Sequence, residues 1–390
     1  MAEQLLIICL LAAGASLLPF IARRFNVPSA VLEIIFGMLL FHTALSERPE
    51  WFEFLKDLGF IYLMFIAGME LDLRNLLKDT KVCWYLSIPA LSLLFTPLFF
   101  YLSGYSYYIG ISLSMISAGI TFPVIKEAGL LKRDLGRHIV GVTLAGEMLS
   151  IIVLTALDIT HRYGHSLLLF LQILKICALF ALATLTLRLI YVIAWWNPGH
   201  VRRVMESEDP VEEGIRIAIA IVFVGALIAY GAGMEPIIGS FMAGVMFTFV
   251  FRNKSRFEEK INALGFGFFI PLFFIGVGAD FDMATLLSPR NVLLALLMAA
   301  IIFASNIPAL FVKRFLGLST KEGFLMTLLL SAPLSMIVVA GTVGFKLGLI
   351  DGGMNNTLIL SALLASLIYP FIFRVSARSI ILEEDRAQGT

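Results

Sequence analysis

The sequence predicts an all-α polytopic membrane protein with about 13 transmembrane helices. Hydrophobic residues make up 59% of the 390 residues, charged residues make up 15%, and the mean hydropathy is +0.93. A soluble domain of this length would carry about a quarter charged residues. The formal net charge of +1 argues against a nucleic-acid partner, and the three cysteines lie in apolar segments without metal-ligand spacing. This composition therefore predicts that the chain lies in a membrane and is in contact with membrane lipids.

The apolar residues are gathered into thirteen runs that alternate with short polar segments. A transmembrane helix needs about 17–25 largely apolar residues, and shorter runs can cross where helices are paired or broken. The predicted spans, numbered in chain order, are 4–22, 28–44, 55–71, 83–103, 107–127, 137–157, 166–194, 214–232, 236–251, 260–279, 291–312, 321–346 and 354–375.

Basic residues predict the orientation of these spans. Of the 29 Lys and Arg residues, 21 follow odd-numbered spans and five lie on the opposite side. Because cytoplasmic loops are enriched in Lys and Arg, the N-terminus is expected outside and the C-terminus in the cytoplasm. The alternation also favours an odd number of spans.

The spans can be arranged as two sets of six. Spans 1–6 occupy residues 1–165 and spans 8–13 occupy residues 214–378, with span 7 and a polar loop over residues 166–213 between them. The single odd span between the sets inverts one set relative to the other, which is the inverted-repeat plan of many secondary transporters. Residues 379–390 are expected to form a short cytoplasmic tail.

The fifth span of each set carries helix-breaking residues near its middle. In the first set these are Gly119 and Pro123, and in the second Ser331, Pro333 and Ser335. Free backbone groups at membrane depth are tolerated only beside protein or a water-filled cavity. Paired breaks therefore predict two discontinuous helices that cross at a binding site, although a pair of simple proline kinks would give the same pattern.

Glu147 lies about ten residues into span 6, roughly 15 Å along a helix from the membrane surface. A charged carboxylate at that depth is costly, so the residue is expected to carry either a proton or a cation. The alternative is a structural acid that is protonated and hydrogen-bonded to a neighbouring helix. We take Glu147 as the candidate site for a proton and a metal cation, Na+ or K+.

Five motifs resemble the monovalent cation:proton antiporter superfamily, and the chain is most similar to its bacterial Kef/Nap-type members. They are residues 27–34 (VPSAVLEI), 65–72 (FIAGMELD), 124–130 (VIKEAGL), 239–244 (GSFMAG) and 269–278 (FIPLFFIGVG), in the order and spacing of the family. The resemblance to the family extends over residues 5–375, which is nearly the whole chain. Position 32 is leucine where glycine is usual.

The resemblance implies a dimer-forming scaffold, a six-helix core with two crossed broken helices, no cofactor, and a bacterial inner-membrane location. It places the ion-binding acid of the family at Glu147. The chain departs from the family at three places in this core. Gly146 has no side chain to pair with Glu147, Ser305 and Asn306 stand where a Lys or Arg is usual, and Pro333 and Ser335 replace charged residues after the second break. One titratable group would then support electroneutral 1:1 exchange of Na+ or K+ for H+.

Further ligand oxygens could come from five polar side chains of the predicted core, since monovalent cations prefer oxygen. They are Ser117, Thr121, Thr143, Ser305 and Asn306. Ser305 and Asn306 fit interhelical hydrogen bonding equally well. His138, at the start of span 6, is expected at a solvated helix end.

Two other functions stay open at this point: a sodium-coupled carrier of organic anions on the same scaffold, and an uncoupled cation channel or non-transporting regulator. An enzyme is not expected, because no nucleophile–base pair or metal-ligand motif is present. The sequence does not say whether a separate regulatory subunit binds.

Overall fold

The structure is a computed structural model that describes residues 2–25, 27–45, 49–70, 79–130, 133–163, 185, 213–231, 236–250, 255–281 and 288–388, and this part of the chain is helical and contains no strand. The helices are α1 (Ala2–Phe25), α2 (Ser29–Leu39), α3 (Glu50–Glu70), α4 (Val82–Leu102), α5 (Tyr107–Leu113), α6 (Ala118–Glu127), α7 (Asp134–Tyr163), α8 (Glu213–Gly231), α9 (Pro236–Val250), α10 (Ser255–Leu264), α11 (Ile270–Asp280), α12 (Pro289–Ser305), α13 (Pro308–Leu316), α14 (Thr320–Leu330), α15 (Leu334–Lys346) and α16 (Gly352–Gln388). Two π-helical turns, Leu40–Ala44 and Gly265–Phe269, extend α2 and join α10 to α11.

Twelve of the thirteen predicted spans coincide with a described helix or with a pair of consecutive helices. Span 7 and the linker loop, residues 166–213, lie almost entirely outside the described residues. Within the described residues, six helical stretches are long and apolar enough to cross a membrane, and two of them join consecutive helices, α10 with α11 and α12 with α13. The bent pair α14–α15 makes a seventh if it counts as one span, and four shorter apolar stretches accompany them. The membrane fold class is therefore confirmed. The final helix runs to Gln388, so helix continues through most of the predicted tail.

The first compact unit comprises Met1–Pro19, Glu33–Arg74 and Thr155–Ala279. Its helices pack through small residues: a Cβ at Gly68 of α3 would collide with the Phe241 carbonyl of α9, and one at Gly244 of α9 with the Phe65 carbonyl of α3. Glycine at both positions lets the two backbones approach closely, as in many membrane helix pairs. The Ser240 hydroxyl bonds the Ile61 carbonyl across the same contact at 2.7 Å.

The second compact unit comprises Phe20–Leu32, Asn75–Leu154 and Asp280–Thr390, and we call it the six-span unit. It holds α4, α5, α6, most of α7, and α12 to α16, which correspond to predicted spans 4, 5, 6, 11, 12 and 13. Each predicted set of six thus supplies three spans to it. The family resemblance predicts a core of the same number of helices that contains both broken ones. Its identity with this unit and the inverted relation of the two sets stay predictions.

The connection between α13 and α14 shows how local sequence fixes the elements of this unit. The α13 helix is capped at its C-terminus by Gly317, whose φ of 78° lies in the left-handed region that glycine adopts without a steric cost. The next helix begins with a capping box, in which the Ser319 hydroxyl accepts from the Glu322 N–H at 3.3 Å and the Glu322 carboxylate accepts from the Ser319 N–H at 2.7 Å. The tight turn brings the start of α14 beside the end of α13.

Candidate functional site

The first helix interruption covers residues 114–117, between the end of α5 and the start of α6. This corrects the predicted position, because Gly119 and Pro123 both lie inside α6. An internal proline is tolerated in membrane helices, because neighbouring helices and polar side chains can satisfy the backbone groups that it frees. The chain is instead opened at Ile116, whose N–H donates to the Ser150 hydroxyl of α7 at 3.1 Å rather than to a carbonyl of its own helix.

The second interruption covers residues 331–333, and the helices on its two sides, α14 and α15, are bent by 40°. Ser331 and Pro333 lie within it, as the sequence predicts, and Ser335 lies in the first turn of α15. The Ser331 hydroxyl donates to the Thr327 carbonyl at 2.7 Å, one turn back in α14.

The two interruptions meet through serine hydroxyls. Ser117 Oγ and Ser335 Oγ are 2.5 Å apart, and a Cβ at Gly119 would lie 3.2 Å from Ser335 Oγ. Thr121 Oγ1 lies 3.1 Å from the Ser117 carbonyl and 3.3 Å from the carbonyl of Leu329 in α14. The predicted residues Ser117, Thr121 and Ser335 are therefore brought together where the two broken helices cross.

The end of α12 supplies hydrogen-bond donors to both broken helices. Ser305 Oγ lies 3.4 Å from the Leu113 carbonyl at the end of α5 and 2.8 Å from the Ile302 carbonyl of its own helix. Asn306 Nδ2 donates to the Leu330 carbonyl at the end of α14 at 3.5 Å and to Ser331 Oγ at 3.3 Å. These carbonyls are the ones a helix C-terminus leaves without partners. Ser305 and Asn306 therefore both make hydrogen bonds between helices, which is one of the two roles that the sequence predicts for them.

Glu147 lies on α7, and only 3% of its surface is exposed. The preceding residue, Gly146, packs directly on the first interruption, because a Cβ there would lie 2.7 Å from Ile116 Cβ and 2.9 Å from Ile116 Cδ1. Thr143, also buried, lies one helical turn before Glu147 and shares its face of the helix. The carboxylate therefore belongs to the part of α7 that contacts the broken span α5–α6.

Two of the predicted ligand residues keep an oxygen atom available. Thr143 Oγ1 and Asn306 Oδ1 are buried, and within the described residues neither has a hydrogen-bond partner. Leaving a polar atom in this state costs about 1–3 kcal/mol, so such atoms call for a physical explanation. A bound cation or ordered water would supply one.

Sequence reasoning missed several buried polar residues near this site. Ser150 and Ser92 are fully buried, and the Ser92 hydroxyl donates to the Ser305 carbonyl at 2.5 Å. Nothing local in the sequence marks either serine, because each contacts a residue far along the chain. The other buried acids of the described residues, Glu33 and Asp158, belong to the first unit.

The prediction of a solvated helix end for His138 is wrong, since the side chain is only 8% exposed. Its Nδ1 lies 2.9 Å from the Tyr85 hydroxyl of α4, and its Nε2 lies 3.2 Å from Lys81 Nζ. Lys81 Nζ also donates to the Leu316 carbonyl at the end of α13 at 2.7 Å. Tyr85, in the first turn of α4, and Lys81, just before that helix, therefore cover the imidazole. These hydrogen bonds link α7 to the start of α4 and the end of α13.

Comparison with known proteins gives relatives that cover nearly the whole chain. An Na+/H+ antiporter of Enterococcus hirae is 25% identical over 388 residues, which cover 96% of this chain and 98% of that protein. YjbQ of Bacillus subtilis (strain 168) is 27% identical over 92% of this chain, and the match spans only 61% of YjbQ.

A solved structure has the same fold. The sodium proton antiporter MjNhaP1 from Methanocaldococcus jannaschii superposes with a TM-score of 0.67, covering 97% of this chain and 98% of that one at 16% identity. The family model for the transmembrane sodium/hydrogen exchanger matches residues 10–377. That match includes both interruptions, Glu147 and the Ser305–Asn306 pair. The chain therefore belongs to the sodium/hydrogen exchanger family, which is a family of membrane transporters.

Proposed function

We propose that this chain exchanges a monovalent cation, Na+ or K+, for a proton by alternating access, with Glu147 as the shared binding site. The observation that carries the proposal is a buried carboxylate on α7 whose neighbour, Gly146, packs on the first helix interruption. Relatives named as Na+/H+ antiporters match over most of the chain, which supports the same class of reaction.

Coupling follows from the cost of moving a bare charge through the protein interior. The Glu147 carboxylate is neutral when it holds a proton, and it is compensated when it holds one cation. Both loaded states can therefore pass between inward-facing and outward-facing forms, whereas the empty anion would pay a large desolvation cost. Exchange results because the site can reset only when it is occupied by one of the two ions.

The cation needs oxygen atoms besides the carboxylate. Thr143 Oγ1 and Asn306 Oδ1 are the first candidates, because both are buried without a hydrogen-bond partner among the described residues. The hydroxyl oxygens of Thr121 and Ser305 keep acceptor lone pairs while they donate to carbonyls, and the Ser117 hydroxyl, which is bonded to the Ser335 hydroxyl, keeps one as well. This set of neutral oxygens suits Na+ or K+, and the radius of the loaded cavity would decide between them.

The stoichiometry is proposed from the charges of the six-span unit. Glu147 is the only carboxylate that is buried in the described part of this unit, and no Lys or Arg side chain is buried there. One carboxylate binds one proton or one monovalent cation, so the proposed exchange is 1:1 and electroneutral. We further propose a homodimer with its C-terminus in the cytoplasm, on the basis of the family resemblance and of the distribution of Lys and Arg.

The test is proton flux into proteoliposomes that contain the purified protein, with NaCl, KCl or choline chloride added outside. We expect proton movement that requires Na+ or K+ and does not change when the membrane potential is clamped to zero. Glu147→Gln should abolish it, whereas Glu33→Gln, which removes a buried acid of the first unit, should retain it. Undiminished exchange in Glu147→Gln would refute the site, and a strong dependence on potential would refute electroneutrality.

A further inference from the structure

Ser150 connects the helix of Glu147 to the first interruption. It lies one turn after Gly146 on α7, has no exposed surface, and its hydroxyl accepts a hydrogen bond from the Ile116 N–H at 3.1 Å. Ile116 lies in the non-helical segment 114–117, and its N–H bonds this side chain rather than a backbone carbonyl. The hydroxyl thus replaces a backbone bond that the open segment lacks.

A second contact with α7 is made by the side chain of Ile116, which packs against Gly146. The Ile116 side chain covers Gly146 so closely that a Cβ at position 146 would lie 2.7 Å from Ile116 Cβ, 2.9 Å from Cδ1 and 3.0 Å from Cγ2. Gly146 and Ser150 are four residues apart on α7, and Glu147 lies between them in sequence. The two contacts therefore fix Ile116 along the stretch of helix that carries the carboxylate.

We propose that Ser150 is a positioning residue that fixes segment 114–117 relative to Glu147 and thereby sets the affinity for the transported cation. The inference rests on the proposed function and assigns a role to a residue that does not itself touch the ion. Ser117, at the end of the segment, is bonded to Ser335 of the second broken helix. A displacement of Ile116 would therefore also disturb the crossing.

Cation binding should depend on this position more than proton binding does. A proton needs only the carboxylate, and its affinity follows from local charge and burial. A cation needs several oxygen atoms at fixed distances around it, some of which would come from the broken helices. Loss of the Ser150 bond should therefore raise the KM for the cation by the same factor at every pH, because the affinity of Glu147 for the proton changes little.

The experiment compares Ser150→Ala with Ser361→Ala in the proteoliposome assay. Ser361 is also fully buried in the six-span unit, but its hydroxyl donates to the Leu358 carbonyl of its own helix, at 2.7 Å. We expect the cation KM of Ser150→Ala to rise about tenfold, the change that corresponds to about 1.4 kcal/mol. The KM of Ser361→Ala should stay within about twofold of the parent protein, because its bond joins no second helix. Equal KM values for both variants would overturn the proposal.

A measurement on the unmodified protein keeps the test independent of how the variant folds. Residue-resolved hydrogen–deuterium exchange should show a protected Ile116 amide, and the protection should be lost in Ser150→Ala. Rapid exchange at Ile116 in the unmodified protein would overturn the proposal. Failure of the proposed function is a separate result, seen as exchange that persists in Glu147→Gln.

Discussion

Replacement of Gly146 by alanine tests how tightly α7 packs against the first interruption. The added methyl group would lie 2.7–3.0 Å from three atoms of the Ile116 side chain, including its Cβ, which cannot rotate away. Overpacking of this kind costs typically about 1–3 kcal/mol. Alanine in place of glycine in a helix returns about 0.5–1 kcal/mol. We therefore expect a net loss of about 1 kcal/mol in the free energy of unfolding.

The assay is thermal unfolding of the purified protein in detergent, followed by tryptophan fluorescence. Gly267→Ala is the matched control, because a Cβ at that helical glycine would meet no atom within 4 Å. The Gly146 variant should unfold at a lower temperature than the parent protein, and the Gly267 variant at an equal or higher temperature. If both variants unfold at or above the parent's midpoint, Ile116 does not occupy the space beside Gly146, and the reasoning fails.

Two further substitutions test the site. Glu147→Asp keeps a carboxylate but shortens it by one methylene, so exchange should persist with a raised cation KM in the proteoliposome assay; a complete loss would mean that charge at this position is not sufficient. Asn306→Leu removes the donor to the Leu330 carbonyl and to Ser331 Oγ, so the free energy of unfolding should fall by about 1–3 kcal/mol. An unchanged thermal midpoint would contradict the second expectation.

The positions of the helices could be predicted because they depend on the length and composition of apolar runs. Predicted spans 107–127 and 321–346 each appear as two consecutive helices, and predicted span 354–375 lies within α16. Hydropathy records which residues lie in lipid or in the protein interior, and it needs no knowledge of neighbouring helices. Span 7 lies almost wholly outside the described residues and stays a prediction.

The exact site of the first interruption could not be predicted, because it depends on a contact between distant parts of the chain. Local chemistry pointed to Gly119 and Pro123, which the structure places inside α6. The segment that is open, residues 114–117, contains neither glycine nor proline, and Ser150 satisfies its backbone from 34 residues away. At the second interruption the local signal and the structure agree, since Pro333 lies where the helix is broken.

The same distinction explains the partial success at the site. Burial of Glu147 follows from its place in an apolar run, and the structure agrees with a 3% exposed side chain. His138 follows Arg133, Asp134 and Arg137, and such a charged stretch predicts a solvent-exposed side chain. In the structure Tyr85 of α4 and Lys81, just before that helix, cover the imidazole. Charged neighbours in sequence predict a solvated side chain only when no other segment packs over it.

The end of α12 bears on how many charges the proposed cycle moves. Helix C-termini carry a partial negative charge, and a lysine near the ends of α5 and α14 would be electrostatically favourable. Here the Ser305 hydroxyl and the Asn306 amide serve as neutral donors to the Leu113 and Leu330 carbonyls. A lysine could also lose or gain a proton during transport, which a serine or an amide cannot do. In the proposed cycle these two neutral residues add no charge of their own, so the charge on Glu147 is the one to be cancelled, and one ion of either kind would be enough to cancel it.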